Sequence, residues 1–231
     1  SLVYACRACY DVAKIYKTPF VSGKDSLYNE SPLGPVAPTL LITSLGILPD
    51  IRKAITMELK EAGNALYLVG VTKPEIGGSE YLHLRGELGG SVPKLDAETN
   101  LKAYHRLLDA MDAGLVRACH DCSEGGLGVA VAEMAFTGGL GVDLDLSNVP
   151  VSENMRDDIL LFSESNGRLL VEIPVGKITE FETAMEGSAV SCVGVIKSEE
   201  KLTVTKDGKP VFEETLEELM GAWKTPLEAK R

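Results

Sequence analysis

The feature that most constrains the fold is a glycine-bearing turn, His-Asp-Cys-Ser-Glu-Gly-Gly-Leu at residues 120–127. The short apolar run before it, residues 115–119, predicts a strand. The segment after it, residues 127–136, predicts a helix, because Leu127, Val131 and Met134 recur at helical spacing. The chain is therefore expected to pass from a strand directly into a helix, as chains do in α/β domains.

The same turn carries groups that suit a phosphorylated ligand. The N–H groups of a first helical turn lack partners within the helix, and Gly125 and Gly126 would let a phosphate approach them. Asp121 could hold the magnesium ion that accompanies a polyphosphate, because hard cations prefer carboxylate oxygens. The alternative is a plain helix cap, in which Ser123 or Asp121 accepts a hydrogen bond from the first turn.

A second polar turn, at residues 21–30, follows a predicted helix and a short apolar run. Gly23 permits a tight turn, Lys24 offers a cation, Asp25 offers a carboxylate for a metal ion, and Ser26 offers a hydroxyl. Its glycine spacing is not that of a P-loop, so a solvated surface turn remains the alternative.

The remaining pattern predicts a mixed α/β architecture with a boundary near residues 49–50. Helices are predicted at residues 2–17, 77–85, 97–113, 175–185 and 214–223. Strands are predicted at residues 20–21, 39–48, 142–146, 169–173 and 189–196, together with a hairpin of residues 55–60 and 65–71.

Charge and hydropathy exclude some functions. A net charge of −11 argues against a nucleic-acid partner, whose binding relies on clustered lysine and arginine. The sequence has no long apolar span and no signal pattern, so we expect a cytoplasmic protein that does not enter a membrane. The negative charge also makes polyphosphate binding depend on Mg²⁺.

The five cysteines include two C-x-x-C pairs, at residues 6–9 and 119–122. Four thiolates could bind zinc, but 109 residues separate the pairs, far more than in a zinc ribbon. A redox role is the other alternative, although no thioredoxin-like pattern surrounds either pair. We expect reduced thiols.

Several segments together resemble one enzyme family. Residues 19–30, Pro-Phe-Val-Ser-Gly-Lys-Asp-Ser-Leu-Tyr-Asn-Glu, and residues 120–135 are similar to the second half of PurL-type phosphoribosylformylglycinamidine synthase, as are Gly141-Val142 and residues 164–168. Aminoimidazole ribonucleotide synthetase and other members of its superfamily share the Asp-x-Ser-x-Gly-Gly-Leu turn. The resemblance implies the mixed-sheet C-terminal α/β domain of that superfamily at residues 51–231. Residues 1–50 would be the tail of its N-terminal α/β domain.

The resemblance also implies an activity. In this family, ATP phosphorylates the amide oxygen of formylglycinamide ribonucleotide, and ammonia from glutamine then displaces the phosphate. The family's catalytic histidine lies in the first half of the enzyme, so no catalytic residue is expected here. The implied partners are the remaining N-terminal half, a glutaminase subunit or domain, and the ribonucleotide substrate.

Matching positions, with the reasoning above, give the candidate site residues. In long-chain members the positions of Asp121 and Ser123 belong to an auxiliary nucleotide site, so the resemblance leaves open whether the two turns serve one site or two. Lys24 stands where some members have a metal-binding asparagine, and lysine cannot ligate a metal while protonated. The predicted ATP-binding residues are Gly23, Ser123, Gly125 and Gly126. Ser26 is the predicted substrate-binding residue, and Asp121 and Asp25 are the predicted metal ligands.

Two alternatives to this function remain. The chain could be a non-catalytic nucleotide-binding or interaction module, or another ATP-dependent member of the superfamily, such as a small kinase. An incomplete N-terminal domain would leave the predicted strand at residues 39–48 without partners, so we also expect self-association. Because the resemblance places the first half of the enzyme outside this sequence, we expect the isolated chain to be inactive.

Overall fold

The computed structural model describes residues 2–24 and 30–225. The chain divides into two units, Ser1–Ile51 and Arg52–Arg231. In the first unit, helix α1 spans Leu2–Tyr16, and the short strands β1 (Glu30–Ser31) and β2 (Gly34–Pro35) pair antiparallel. The predicted helix at residues 2–17 is therefore confirmed.

The predicted buried strand at residues 39–48 is wrong. This segment has no regular secondary structure, and its apolar side chains are exposed, with Leu41 86% and Leu45 95% accessible. An apolar run forms a buried strand only where another element covers it. Helix α1 does not provide such cover, because none of its described side chains is buried.

The second unit contains six helices and seven strands in its described part. In chain order they are β3 (Ala65–Val69), α2 (Glu80–Arg85), α3 (Ala97–Asp112), β4 (Ala118–Asp121), α4 (Gly126–Gly138), β5 (Gly141–Asp145), α5 (Asp157–Phe162), β6 (Leu169–Ile173), α6 (Ile178–Ala184), β7 (Val190–Lys197), β8 (Lys201–Lys206), β9 (Lys209–Thr215) and α7 (Leu216–Lys224).

These strands form one mixed sheet in the order β4-β6-β3-β7-β5-β8-β9. Strands β5 and β8 run parallel, and every other neighbouring pair is antiparallel. Strand β4 lies at one edge, where Asp121 pairs with Leu169 of β6. The predicted mixed-sheet α/β fold is confirmed.

Alternation along the strands divides the core into two layers. Leu66 and Leu68 of β3 face a cluster that includes α4, α5 and the start of α7, whereas Tyr67 and Val69 face a cluster that includes α3 and α6. Leu127, Val131 and Met134 of α4 are fully buried in the first layer, as their spacing predicted.

Two predictions in this unit are wrong, and three elements were not predicted. Residues 55–60 make only an isolated bridge, between Thr56 and Ala118, and β3 pairs with β6 and β7 instead of forming the predicted hairpin. The last helix begins at Leu216, because Glu213 and Glu214 belong to β9. The sequence analysis missed α5, β8 and β9.

A buried carboxylate on β6 accepts hydrogen bonds from the segment that leads into β3. Glu172 is fully buried, and its side chain accepts hydrogen bonds from Lys60 N (2.7 Å), Glu61 N (3.1 Å) and Asn64 Nδ2 (2.6 Å). Both carboxylate oxygens are used as acceptors, so the charge is buried with its hydrogen bonds satisfied.

The chain has no membrane-crossing helix in the part that the structure describes: none is both long and apolar enough.

Replacing Glu172 with Gln should lower the free energy of unfolding by about 1–3 kcal/mol, because the new NH₂ group must face a buried N–H donor. Urea denaturation followed by circular dichroism measures this. Glu180→Gln is the matched control, since Glu180 makes an exposed pair with Lys177, and it should cost less than about 0.5 kcal/mol. Equal costs for the two variants would contradict this account of Glu172.

The cysteines of the second unit are partly or fully buried thiols. Burial raises the pKa of Cys119 to about 12 and that of Cys122 to about 11, and it also raises the pKa of Cys192. The thiolate is the reactive and metal-binding form, so neither C-x-x-C thiol at residues 119–122 is activated for redox chemistry.

Alkylation tests this directly. Iodoacetamide at pH 7.5 should modify exposed Cys6 at least about 100-fold faster than Cys119 or Cys122, because burial shields these two thiols and raises their pKa to about 12 and about 11, which leaves little thiolate. Peptide mass spectrometry gives the rates, and all five cysteines should react alike in guanidinium. Rapid alkylation of Cys122 in the folded chain would refute the burial argument.

Candidate functional site

The turn between β4 and α4 depends on its two glycines. Gly125 and Gly126 have φ angles of +77° and +64°. A Cβ atom on Gly126 would lie 2.2 Å from the carbonyl oxygen of Ser163, and one on Gly125 would lie 2.2 Å from Cγ2 of Val129. Both positions therefore need glycine for backbone conformation and close packing, whatever else they do.

A carboxylate of the protein itself occupies the start of α4. Oε1 of Glu164 accepts hydrogen bonds from Gly125 N (2.9 Å) and from Glu80 N at the start of α2 (3.0 Å). Gly125 is the N-cap residue and makes no side-chain cap, so the plain cap by Ser123 or Asp121 does not form. Glu164 supplies the negative charge that the positive end of the helix dipole favours.

Asp121 is held on both sides while remaining accessible. Its side chain is 63% exposed. The hydroxyl of Ser123 donates a hydrogen bond to Oδ2, and Nδ1 of His120 lies 3.5 Å from Oδ1. The turn thus presents an oriented carboxylate to solvent at the end of β4.

Behind this carboxylate, His120 reaches the next helix. Its Nε2 lies 2.8 Å from Oε2 of Glu133 on α4, and Oε1 of Glu133 accepts a hydrogen bond from Nε1 of Trp223 on α7 (3.1 Å). The His120 side chain is only 17% exposed. Glu133 therefore holds the ring at Nε2.

An open cavity of about 360 Å³ lies beside the turn. Three of its lining residues carry carboxylates and one carries a guanidinium. The lining comprises Pro93, Tyr104, Asp121, Cys122, Ser123, Glu124, Glu164, Asn166, Gly167, Arg168 and Leu169. A phosphate in this cavity would be repelled by the carboxylates unless a cation lay between them.

The guanidinium, of Arg168, is 1% exposed. It donates hydrogen bonds to Thr72 Oγ1 (3.0 Å), to the carbonyl oxygen of Ser165 (3.1 Å) and to that of Ser163. These acceptors are uncharged. Burial lowers the pKa of Arg168, although an arginine keeps its charge in proteins. Arg168 thus lines the cavity with its guanidinium buried, and the carboxylates of Glu75 and Glu164 are its nearby negative charges.

The donor set suits a metal ion that arrives with its own ligands. Among residues 2–24 and 30–225, no three His, Cys, Asp or Glu side chains gather to hold a metal ion. Mg²⁺ commonly uses one or two carboxylates and completes its shell with waters and phosphate oxygens. Asp121 can supply such a carboxylate, so these residues fit a magnesium–phosphate complex better than the bare ion.

Only some of the predicted site residues line the cavity. Asp121 and Ser123 line the cavity, whereas Gly125 and Gly126 are buried behind it. Gly23 is an exposed residue of the first unit, and Asp25 and Ser26 lie outside the described residues.

The prediction missed the contribution of residues 164–168 to the cavity. The segment leads into β6, which pairs with β4, and Cys122 N donates to the carbonyl oxygen of Arg168 (3.0 Å). The sequence signal was the polar run Glu-Ser-Asn-Gly-Arg before a strand.

Comparison with known proteins gives two close sequence relatives. The chain is 38% identical to phosphoribosylformylglycinamidine synthase subunit PurL of Moorella thermoacetica over 224 residues, covering 96% of this chain and 29% of the relative. It is 40% identical to the same subunit of Methanothrix thermoacetophila over 212 residues, covering 90% of this chain and 27% of the relative. The chain thus spans less than a third of the length of these relatives.

Solved structures share the fold. PurL of T. maritima complexed with FGAR matches 73% of this chain and 30% of its own, with a TM-score of 0.66 and 22% identity. The same protein complexed with ATP matches 73% of this chain and 27% of its own length, with a TM-score of 0.60 and 21% identity.

The family model described as AIR synthase related protein, C-terminal domain, matches residues 61–207. This range contains the β4–α4 turn, the cavity lining and strands β3 to β8. Because the match covers more than half of the chain, the chain belongs to the AIR synthase related protein family and contains its C-terminal domain.

Proposed function

We propose that this chain is part of a PurL-type phosphoribosylformylglycinamidine synthase and that its β4–α4 turn holds a magnesium-bound adenine nucleotide. The curated relatives carry the synthase name, and similar structures are described as complexes with ATP, ADP and FGAR. One observation carries the site assignment: an accessible, oriented Asp121 shares a cavity with the buried charge of Arg168.

The proposed roles follow from charge. Asp121 would ligate Mg²⁺, which neutralises phosphate oxygens when bound. Ser123 now donates to Asp121, and once a cation takes that carboxylate its hydroxyl is free to turn toward a phosphate oxygen. Arg168 would attract the remaining negative charge without direct contact, because a desolvated charge acts strongly over short distances.

The wider assignment covers domains, partners and compartment. Residues 1–50 would be the end of the N-terminal synthetase-like domain and residues 51–231 the C-terminal one. In the intact cytoplasmic enzyme, the remaining N-terminal half would bind formylglycinamide ribonucleotide together with Ser26. Gly23 would contact ATP, and Asp25 would be a second candidate metal ligand. A glutaminase subunit or domain would supply ammonia, and the reaction is the ATP-dependent formation of the amidine.

A second candidate function has its own observation. Glu164 already satisfies the N–H groups at the starts of α2 and α4, so the turn could be a structural joint in a module that binds no nucleotide. Calorimetry with nucleotide separates the two candidates, since only the first produces binding heat that requires Mg²⁺.

We expect the chain to bind ADP with Mg²⁺ but not without it, and Asp121→Asn to weaken this binding at least about tenfold. The amide keeps the side-chain shape and loses the charge. Isothermal titration calorimetry over a magnesium series measures the affinity, and circular dichroism confirms folding. Asp112→Asn is the control, because Asp112 pairs with Lys53 on the surface. Equal affinity of Asp121→Asn and the parent would rule out the metal role.

The isolated chain should make no detectable amidine product from ATP, formylglycinamide ribonucleotide and ammonia. The reason is that it spans less than a third of its relatives and carries no predicted catalytic residue. Product is measured by chromatography, with Asp121→Asn as a check for contaminating synthase. Turnover by the pure parent that Asp121→Asn abolishes would show the expectation to be wrong.

A further inference from the structure

The carboxylate of Asp121 lies on the face of the sheet that helix α3 covers. Side chains alternate along β4: Ala118 packs in the core layer of α4, whereas Cys119 packs against the layer of α3 and α6. Asp121 comes two residues after Cys119, so its side chain points to the α3 side. Its register partner on β6, Leu169, packs against the same layer.

A close contact with the segment before β6 positions α3. Gly167 has a φ angle of +82°, and a Cβ atom there would lie 2.1 Å from Nδ2 of Asn100 on α3. Tyr104 comes one helical turn after Asn100, so it lies on the same side of α3. Tyr104 is half-buried and lines the same cavity as Asp121. Helix α3 thus brings an aromatic side chain to the wall of the candidate nucleotide site.

The lining of this cavity combines charged and apolar surface, as a nucleotide does. Besides the carboxylates and the buried guanidinium, Pro93, Tyr104 and Leu169 contribute apolar surface. In the proposed function, Mg²⁺ and the phosphates lie beside Asp121, so the nucleoside must contact other lining residues. A nucleobase is stabilised by stacking on an aromatic face, and Tyr104 is the aromatic residue of this lining.

We propose that Tyr104 binds the nucleobase of the magnesium-bound nucleotide by stacking, with Pro93 and Leu169 completing an apolar wall. This inference rests on the proposed function of the β4–α4 turn and deepens it, because it names the part of the ligand that α3 recognises. Every base has a π-face, so stacking favours a nucleotide over a plain polyphosphate without selecting one base. Tyr104 is thereby a specificity-determining residue of the site.

Calorimetry with ADP and with inorganic pyrophosphate, both in excess Mg²⁺, separates recognition of the base from recognition of the phosphates. Tyr104→Ala should weaken ADP binding about 5- to 100-fold, as expected for the loss of a stacking partner, and should leave pyrophosphate binding within about twofold of the parent. Tyr104→Phe should bind ADP within about twofold of the parent, because it keeps the ring and loses only the hydroxyl.

Leu108→Ala is the matched control for truncation of a side chain on this helix. Leu108 lies one turn beyond Tyr104 on α3, is 57% exposed and is not among the residues that line the cavity. Its replacement should leave the affinity for both ligands unchanged. Should Tyr104→Ala fail to fold, as judged by circular dichroism, Tyr104→Leu replaces it. Leucine keeps apolar volume without an aromatic face, so it should weaken ADP binding and leave pyrophosphate binding unchanged.

The outcomes separate this inference from the proposed function. If Tyr104→Ala leaves ADP binding unchanged, or weakens ADP and pyrophosphate binding equally, the stacking role is overturned while the proposed function stands. A loss in Tyr104→Phe as large as that in Tyr104→Ala would assign the contact to the hydroxyl and would also overturn stacking. A parent chain that binds no ADP in the presence of Mg²⁺ would overturn the proposed function and this inference with it.

Discussion

The carboxylate of Glu164 determines where the main helix of the C-terminal unit begins. It accepts hydrogen bonds from Glu80 N at the first residue of α2 and from Gly125 N at the N-cap of α4, so one side chain contacts the starts of two helices. Gly126 then lies against the carbonyl oxygen of Ser163, where a Cβ atom would clash. That carbonyl also accepts a hydrogen bond from Arg168. The position of α4, the bend at the glycines and the burial of Arg168 therefore depend on one another.

The pairing of β4 with β6 converts this joint into a cavity. Asp121, the last residue of β4, pairs with Leu169, the first residue of β6. The turn that follows β4 therefore lies beside the segment that precedes β6. One turn brings Asp121 and Ser123, and the other brings Glu164 and Arg168. Opposite charges are thus placed together by strand register and not by sequence proximity.

Local patterns predicted the parts of this arrangement that local forces determine. The spacing of Leu127, Val131 and Met134 predicted α4 and its buried face. The Asp207-Gly208 pair, with φ angles of +50° and +71°, forms the two-residue turn between β8 and β9, and Asp-Gly is the sequence signal from which that hairpin is predictable. The sequence could not predict that Glu164 reaches Gly125, because 39 residues separate them and only the folded sheet brings them together.

The charges of the site limit which ligands it can bind. The buried Arg168 donates its hydrogen bonds to neutral oxygens and has Glu75 and Glu164 as nearby negative charges, while the carboxylates of Asp121, Glu124 and Glu164 repel anions in the same cavity. Neither a bare anion nor a bare cation satisfies both sets of charges. A cation–phosphate complex does, since its metal faces Asp121 and its remaining negative charge lies in the field of Arg168. The Glu164 carboxylate, already neutralised in part by two helix starts, opposes such a complex least.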